Sequence, residues 1–205
     1  MIFGTPSLEQ LIAAAIALLV GLTFHEFSHA LLADNLGDHR PRSMGRLTLN
    51  PIAHLDPIGA LMLLIAGFGW AKPVMVNPYA LRNGRTGMAI VAAAGPIANL
   101  VVAFAFAVVF RVLAILGVDS GFLLRVVDLI VVINILLAIF NVLPIPPLDG
   151  YNVALAFLPP RQAMALRRYA PYGVIVLLLL VLLPGSPLRL LLGMARPIAN
   201  ILTGA

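Results

Sequence analysis

The sequence predicts an all-α polytopic membrane protein with about four to five transmembrane helices, a re-entrant segment and short β-strands. Of the 205 residues, 61% are hydrophobic and only 10% are charged, whereas a soluble globular domain carries about 25% charged residues. The apolar residues form long runs separated by short polar segments, as expected for a chain that crosses a bilayer of about 30 Å several times.

The remaining composition excludes several classes of protein and of site. The chain has no cysteine, so disulfides and thiolate metal ligands are excluded. The net charge of +5 comes from twelve arginines and one lysine. These lie between apolar segments, where membrane proteins place charges that set topology, and they form no dense patch of the kind that binds nucleic acid. The bilayer is therefore an expected partner and nucleic acid is not.

The first helix is predicted to begin near Ser7 and to reach Leu36. Ser7 and Gln10 fit a capping box, and Gly37 is a typical stop. The N-terminal stretch MIFGTPSLEQ has no basic region, so no cleaved signal peptide is expected.

A polar, turn-rich stretch at 38–57 follows the first helix. Within it GRLTLN (45–50) alternates like a strand. The apolar run 58–70 is short for a span and suits a re-entrant or interfacial segment. KPVMVN (72–77) is a second strand-like piece. Trp70 and Tyr79 fit interfacial anchors.

Two further long helices are predicted over Thr86–Val112 and Phe122–Leu143, and the second ends at a proline cluster before Asp149. A basic loop at 161–168, a hydrophobic segment at 172–183 and an amphipathic, interfacial tail at 188–202 follow. The whole chain, 1–205, is expected to form one membrane-embedded domain. Its core covers about 8–158, and its C-terminal helix and tail cover 170–205.

The most informative motif is HEFSH, in the apolar part of the first helix. His25 and His29 are spaced i, i+4, which places both imidazoles on one helix face. Both can bind one Zn²⁺ per chain, and Glu26 is then placed as a general base for water. Two packed histidines with an ion-paired glutamate are the alternative. Because charged groups inside a membrane are costly, the catalytic metal site is favoured.

Catalytic zinc usually has three protein ligands. The other glutamate, Glu9, lies upstream, and the position of a third histidine in the extended motif is Asn35. Asp149 follows a long helix and a break, FNVLPIPPLDG, and broken backbone at membrane depth lines a protein cavity. Asp149 is the favoured third ligand, although an Asp-Gly turn at a helix end also explains it. The residues that could supply the third ligand are His39, His54 and the aspartates at 34, 38, 56, 119, 128 and 149.

HEFSH followed by FNVLPIPPLDG, with AAAGPIANL between them, resembles the site-2 protease family of intramembrane zinc metalloproteases. GRLTLNPIAHLDPIG and GWAKPV resemble its compact members, which lack PDZ and CBS domains. The resemblance covers about residues 15–155. It implies that His25, His29 and Asp149 bind zinc, that Glu26 is the catalytic base and that Asn141 helps to stabilise the oxyanion. PPLDG departs from the family's common asparagine-proline-aspartate-glycine, so the local loop shape is expected to differ. A C-cap role is the alternative for Asn141.

Charge distribution tests the topology independently of the family. The two motifs lie near the C-terminal ends of their helices, so those helices must run in the same direction, with one complete crossing between them. If 58–70 re-enters, nine cations face the cytoplasm and four face out, whereas a full crossing gives seven against six. The positive-inside rule therefore favours re-entry. It also places the active site toward the cytoplasmic side of a multi-pass protein in the cell membrane. The excess of arginine over lysine indicates a prokaryotic source. The cytoplasmic set is Arg40, Arg42, Arg46, Lys72, Arg82, Arg85, Arg161, Arg167 and Arg168.

The expected substrate is a single-pass transmembrane protein, whose helix must unwind to be cut. Val74, Met75 and Val76 are candidates for contact with an extended substrate by β-addition. Three residues are candidates for contact with the metal ligands or for gating the site: His54, Asp56 and Asn99. A solvated loop explains His54 and Asp56 equally well, and contact between helices explains Asn99. A membrane zinc or proton transporter that uses the same His/Asp site is the main alternative function, and a silent zinc scaffold is a third.

Overall fold

The computed structural model describes residues 7–59 and 71–204. We number its helices in chain order, and three of them, α1, α3 and α4, are long. The numbered helices are α1 (Leu8–Asn35), α2 (Arg40–Ser43), α3 (Gly84–Ile115), α4 (Gly121–Val142), α5 (Asp149–Phe157), α6 (Pro160–Tyr169), α7 (Gly173–Leu182), α8 (Pro187–Gly193) and α9 (Ala195–Thr203), with 3₁₀ turns at Pro51–His54 and Ala170–Tyr172.

Four helical stretches within the described residues are long and apolar enough to cross a membrane. They are α1, α3, α4 and the continuous stretch Pro160–Leu182 that contains α6 and α7. The predicted all-α polytopic membrane class is therefore confirmed with four candidate spans. The predicted re-entrant run 58–70 and the anchor Trp70 lie almost entirely outside the described residues.

The first helix begins and ends as the sequence predicts. Ser7 Oγ accepts the backbone N–H of Gln10, and the Gln10 side chain accepts the N–H of Ser7, which completes the capping box. At the other end Gly37 adopts φ +110°, a left-handed conformation that glycine reaches at little cost. The chain therefore turns sharply after α1.

Helices α1, α3 and α4 pack against one another and form the centre of the molecule. On α1 the contact face is a stripe with a spacing of four residues, and every member is buried. Small side chains let membrane helices approach closely, so this stripe brings α3 and α4 near the two histidines. Its members are Ala13, Ala17, Gly21, His25, His29 and Ala33.

Two shorter helices complete the packing around α3 and α4. Helix α5 lies mainly against α3. Helix α9 buries Ala195 and Ala199 against Ala103 and Val131. Contact with protein thus accounts for the amphipathic pattern that the sequence assigned to an interfacial tail.

The predicted strands at 45–50 and 72–77 do not form; the described residues hold only an isolated antiparallel bridge between Leu55 and Ala71. Alternating side chains indicate a strand only if a neighbouring strand completes the hydrogen bonds. In 72–77 the N–H groups of Val74 and Asn77 donate instead to the carboxylates of Glu26 and Asp38. Beyond Lys72, whose N–H donates to the carbonyl of His54, these contacts take the place of a strand partner.

Candidate metal centre

Two helices bring three candidate ligands to one point. His25 and His29 lie on the buried stripe of α1, and Asp149 is the first residue of α5. Helix α4 ends at Val142, and a proline-rich turn separates it from α5. The turn aims the start of α5 back at α1. All three side chains are buried or nearly so.

The three ligand atoms form an almost equilateral triangle. His25 Nε2 and His29 Nε2 are 3.1 Å apart, and they lie 3.1 and 3.2 Å from Asp149 Oδ2. Tetrahedral zinc with bonds of about 2.0–2.1 Å sets neighbouring ligand atoms about 3.3 Å apart. The spacing therefore fits a zinc site with three protein ligands.

The second nitrogen of each ring fixes which nitrogen can bind a metal. His29 Nδ1 is 2.8 Å from the carbonyl of Val91, which can only accept, so Nδ1 carries the proton. His25 Nδ1 is 2.7 Å from Asn99 Oδ1. Asn99 is oriented by its own amide group, which donates to the carbonyl of Gly21. Both Nε2 atoms therefore present lone pairs to the centre.

The chain of hydrogen bonds continues from Asn99 into α4. Asn99 Nδ2 also donates to Asn134 Oδ1 at 2.8 Å, and Asn134 Nδ2 donates to the carbonyl of Ile130 at 2.8 Å. Both amides are completely buried. Because every link ends on a group of known polarity, the chain holds His25 in one orientation and one tautomer.

Asp149 Oδ2 is the orphaned polar atom of the centre. It is buried and accepts no hydrogen bond from the described residues, and it faces the Nε2 atoms of two rings whose Nδ1 atoms lie against oxygen acceptors. A buried carboxylate oxygen without a partner costs free energy unless a cation or a proton binds beside it. Two neutral imidazoles and one carboxylate are ligands that zinc prefers, so His25, His29 and Asp149 fit this metal.

Two glycines allow the helices to approach the centre. A Cβ atom on Gly95 of α3 would lie 2.5 Å from His25 Cε1 and 2.6 Å from His29 Nε2. A Cβ atom on Gly150 would collide with the carbonyls of Val142 and Leu143. Glycine at 95 lets α3 cover the two rings, and glycine at 150 lets α5 fold back on the end of α4.

Glu26 lies beside the ligands and under the extended segment. Its Oε2 accepts the backbone N–H of Val74 at 2.9 Å, and the side chain is buried. A cavity of about 220 Å³ is lined by the three ligands, Glu26, Val74 and Val76, among other residues. Met75, between the two valines, is 61% exposed and faces away from it.

Asn141 also lines this cavity, from the last turn of α4. Its Nδ2 donates to the carbonyl of Leu137 at 3.0 Å. The C-cap residue of α4 is Leu143, so Asn141 does not hold the cap position itself. Its amide borders the same cavity as Glu26 and the three ligands.

Two of the three remaining candidates, His54 and Asp56, make no contact with the ligands. His54 is buried, but its Nε2 bonds the carbonyl of Thr48 and it does not line the metal cavity. Asp56 accepts the N–H groups of Ile58 and Gly59, which is a turn contact. Asn99 touches His25 directly, as described above.

Four contributors have no role in the sequence analysis: Asn134, the carbonyl of Val91, Asn152, which lines the cavity, and Gly95. Asn134 is flanked on both sides by apolar residues in the middle of α4, and a polar residue inside a membrane helix is the pattern that indicates a functional contact. The carbonyl of Val91 has no sequence pattern that distinguishes it.

Comparison with known proteins gives named relatives. Over 174 residues the chain is 38% identical to "Putative zinc metalloprotease YwhC" of Bacillus subtilis, covering 82% of this chain and 80% of that protein. It is 33% identical to "Putative zinc metalloprotease Rip2" of Mycolicibacterium smegmatis over 183 residues and of Mycobacterium tuberculosis over 177 residues. Each match covers 81% of this chain and 65% of Rip2. No protein-family model matches the chain, and no solved structure matches it significantly.

The fold and the ligand set define a multi-pass membrane protein with a metal site of the zinc type, and its relatives are named as zinc metalloproteases. With relatives of this kind along most of its length, the chain belongs to the site-2 protease family. Zinc is the cofactor of the class, and the three buried ligands described above fit it.

Proposed function

We propose that this protein is an intramembrane zinc metalloendopeptidase, which hydrolyses a peptide bond within or near the transmembrane segment of a single-pass, membrane-tethered protein. The observation that carries the proposal is the triangle of His25, His29 and Asp149 with Glu26 beside it. This arrangement lies among helices long enough to span a bilayer. A peptide bond reaches it only from within or beside the membrane.

Each group at the site has a separate role in the proposed hydrolysis. Bound zinc would act as a Lewis acid and make water a better nucleophile near neutral pH. Glu26 takes a proton from the water whose oxygen attacks the carbonyl carbon, and it then passes the proton to the nitrogen as the C–N bond breaks. The Asn141 amide donates to the oxygen on which negative charge develops. Bonding Glu26 Oε2 to Val74 fixes the carboxylate at the cavity wall.

The segment 73–77 supports delivery of an extended substrate. Glu26 and Asp38 hold it at Val74 and Asn77, and within the described residues no strand pairs with it. A substrate that unwinds can add its backbone along this edge, with Val74 and Val76 facing the cavity and Met75 outward. The substrate would then enter the cavity without first refolding the protein around it.

Contacts on either side of the run 58–70 favour the proposed orientation. Leu55 bridges Ala71, and the N–H of Lys72 donates to the carbonyl of His54 at 2.8 Å. The two flanks of this run therefore lie side by side, which supports the proposed re-entry. With α3 as the complete crossing between α1 and α4, the charge bias supports a centre toward the cytoplasm.

The transporter alternative uses the same ligands but gives Glu26 no role beside them. Transport needs a route that opens on both sides of the membrane. Within the described residues, neither of the cavities that border the ligands forms such a route. Hydrolysis gives Glu26 and Asn141 a role beside the three ligands that they border, so it is the function that the geometry supports best.

Substituting Glu26 with Gln tests the proposal with minimal change in structure. Gln keeps an oxygen that can accept the Val74 N–H, but it cannot take a proton. Both proteins, purified in detergent, should contain one zinc per chain. Only the wild type should cleave a single-span substrate whose helix is weakened by glycine, and we expect a loss of about 10²–10⁴-fold in the variant.

The His29→Ala variant serves as the matched control, because it should lose zinc and activity together. Equal cleavage by wild type and Glu26→Gln would refute the catalytic role. Zinc in both proteins, with no cleavage in either and zinc flux into vesicles, would establish the transporter instead.

A further inference from the structure

We infer that an apolar cavity between α3 and α5 is the subsite for a large apolar side chain of the substrate, next to the bond that is cut. This inference rests on the proposed function and extends it to sequence preference. The cavity measures about 360 Å³. Ala93 and Pro96 of α3 form one wall, and Val153 and Ala154 of α5 form the other.

The cavity adjoins the metal centre. Asn141 and Asp149 line both this cavity and the 220 Å³ cavity that contains Glu26. A peptide whose carbonyl lies between Glu26 and Asn141 therefore has a neighbouring residue at the mouth of the apolar cavity. In an extended chain, successive side chains point to opposite sides, so one of the two residues that flank the cut directs its side chain inward.

The lining determines the chemistry of the side chain. Apart from Asn141 and Asp149, every lining residue is apolar or glycine, and no cation is among them. An apolar cavity of about 150 Å³ already accepts benzene, so this one has room for a leucine or phenylalanine side chain. Transmembrane segments are rich in such residues, which makes the subsite suited to the proposed substrate class.

A lipid acyl chain is the competing occupant, since Ile97 and Leu100 at the rim are 58% and 52% exposed. An acyl chain brings no hydrogen-bonding group to Asn141 or Asp149, which border the cavity. A substrate brings its backbone to these polar groups and its side chain to the apolar walls. The substrate therefore matches both parts of the lining.

The test is a position scan of a cleaved single-span substrate with the zinc-loaded full chain. Ala, Val, Leu and Phe are placed in turn at the two positions flanking the cut, and kcat/KM is measured for each. Wild type should prefer Leu or Phe over Ala by about tenfold at one position. Ala154→Phe fills the cavity, so it should reverse that preference between the Ala and the Leu or Phe substrates.

Ala93→Leu narrows the cavity from the opposite wall and should shift the profile in the same direction, which guards against a folding defect in one variant. Ala105→Phe adds equal bulk to an exposed position of α3 and should leave the profile unchanged. Zinc content reports folding in each variant. Cleavage with the wild-type profile in both cavity variants would overturn the subsite and favour a lipid. Cleavage by no protein at all would refute the proposed function, and with it the subsite.

Discussion

Replacing Gly95 with alanine should release zinc without unfolding the protein. The new Cβ would lie 2.5 Å from His25 Cε1 and 2.6 Å from His29 Nε2, whereas ordinary contact begins at 3.4 Å. The rings must retreat by about 0.8–0.9 Å, although metal sites tolerate deviations of about 0.2 Å. Overpacking of this kind costs about 1–3 kcal/mol, so zinc affinity should fall by about 10- to 100-fold.

Zinc affinity is measured by competition with a chelator in detergent, and helix content is followed by circular dichroism. Gly121→Ala is the matched control, because a Cβ there meets nothing within 4 Å. The control should bind zinc as wild type does. A Gly95→Ala protein with wild-type zinc affinity and helix content would show that α3 does not press on the two rings, and the account of the centre would be wrong.

Three further predictions follow from the same contacts. Asn134→Leu should lower zinc affinity by about 10- to 100-fold with helix content kept; unchanged affinity by chelator competition would show that the buried amides do not position the ligand. Val74→Pro removes the N–H that Glu26 accepts and should slow cleavage at least about tenfold with zinc content unchanged; equal turnover would contradict this role. Hydrogen bonds from Arg40 hold the pKa of Asp38 below its usual range. The contribution of the Asp38 carboxylate to folding stability is therefore present above about pH 3.9 and is lost as the pH falls further. The difference in Tm between wild type and Asp38→Asn should shrink over that range, and a constant difference would refute the linkage.

The sequence predicted three of the four candidate spans and grouped the three candidate ligands for a physical reason. The fourth span includes 161–168, which is helical and not the predicted basic loop. Helical spacing alone places His25 and His29 on one face, and a lipid environment leaves few explanations for charged groups in an apolar run. Asp149 was favoured because broken backbone needs a protein cavity. The structure brings all three together.

The strands and the supporting polar contacts depend on information that the sequence does not hold locally. Alternation in 72–77 gave the correct facing of Val74 and Val76, but the partners of its N–H groups lie on α1 and just beyond it. Asn134 lies 35 residues from Asn99 along the chain, and nothing in the spacing joins them. Contacts of this kind appear only when helices are assembled.

The four-residue stripe on α1 has a consequence for mutational screens of this protein. Loss of function should recur at every fourth position along the helix as one uninterrupted band, although its causes differ. At Ala13 and Ala17 a substitution by a small residue such as serine should leave the protein active, because only a bulky side chain is excluded at these positions. At the two histidines no replacement of similar size should do so. A screen that records only which positions are sensitive would therefore not distinguish the packing surface from the active site. The two are distinguished by which replacement residues each position accepts.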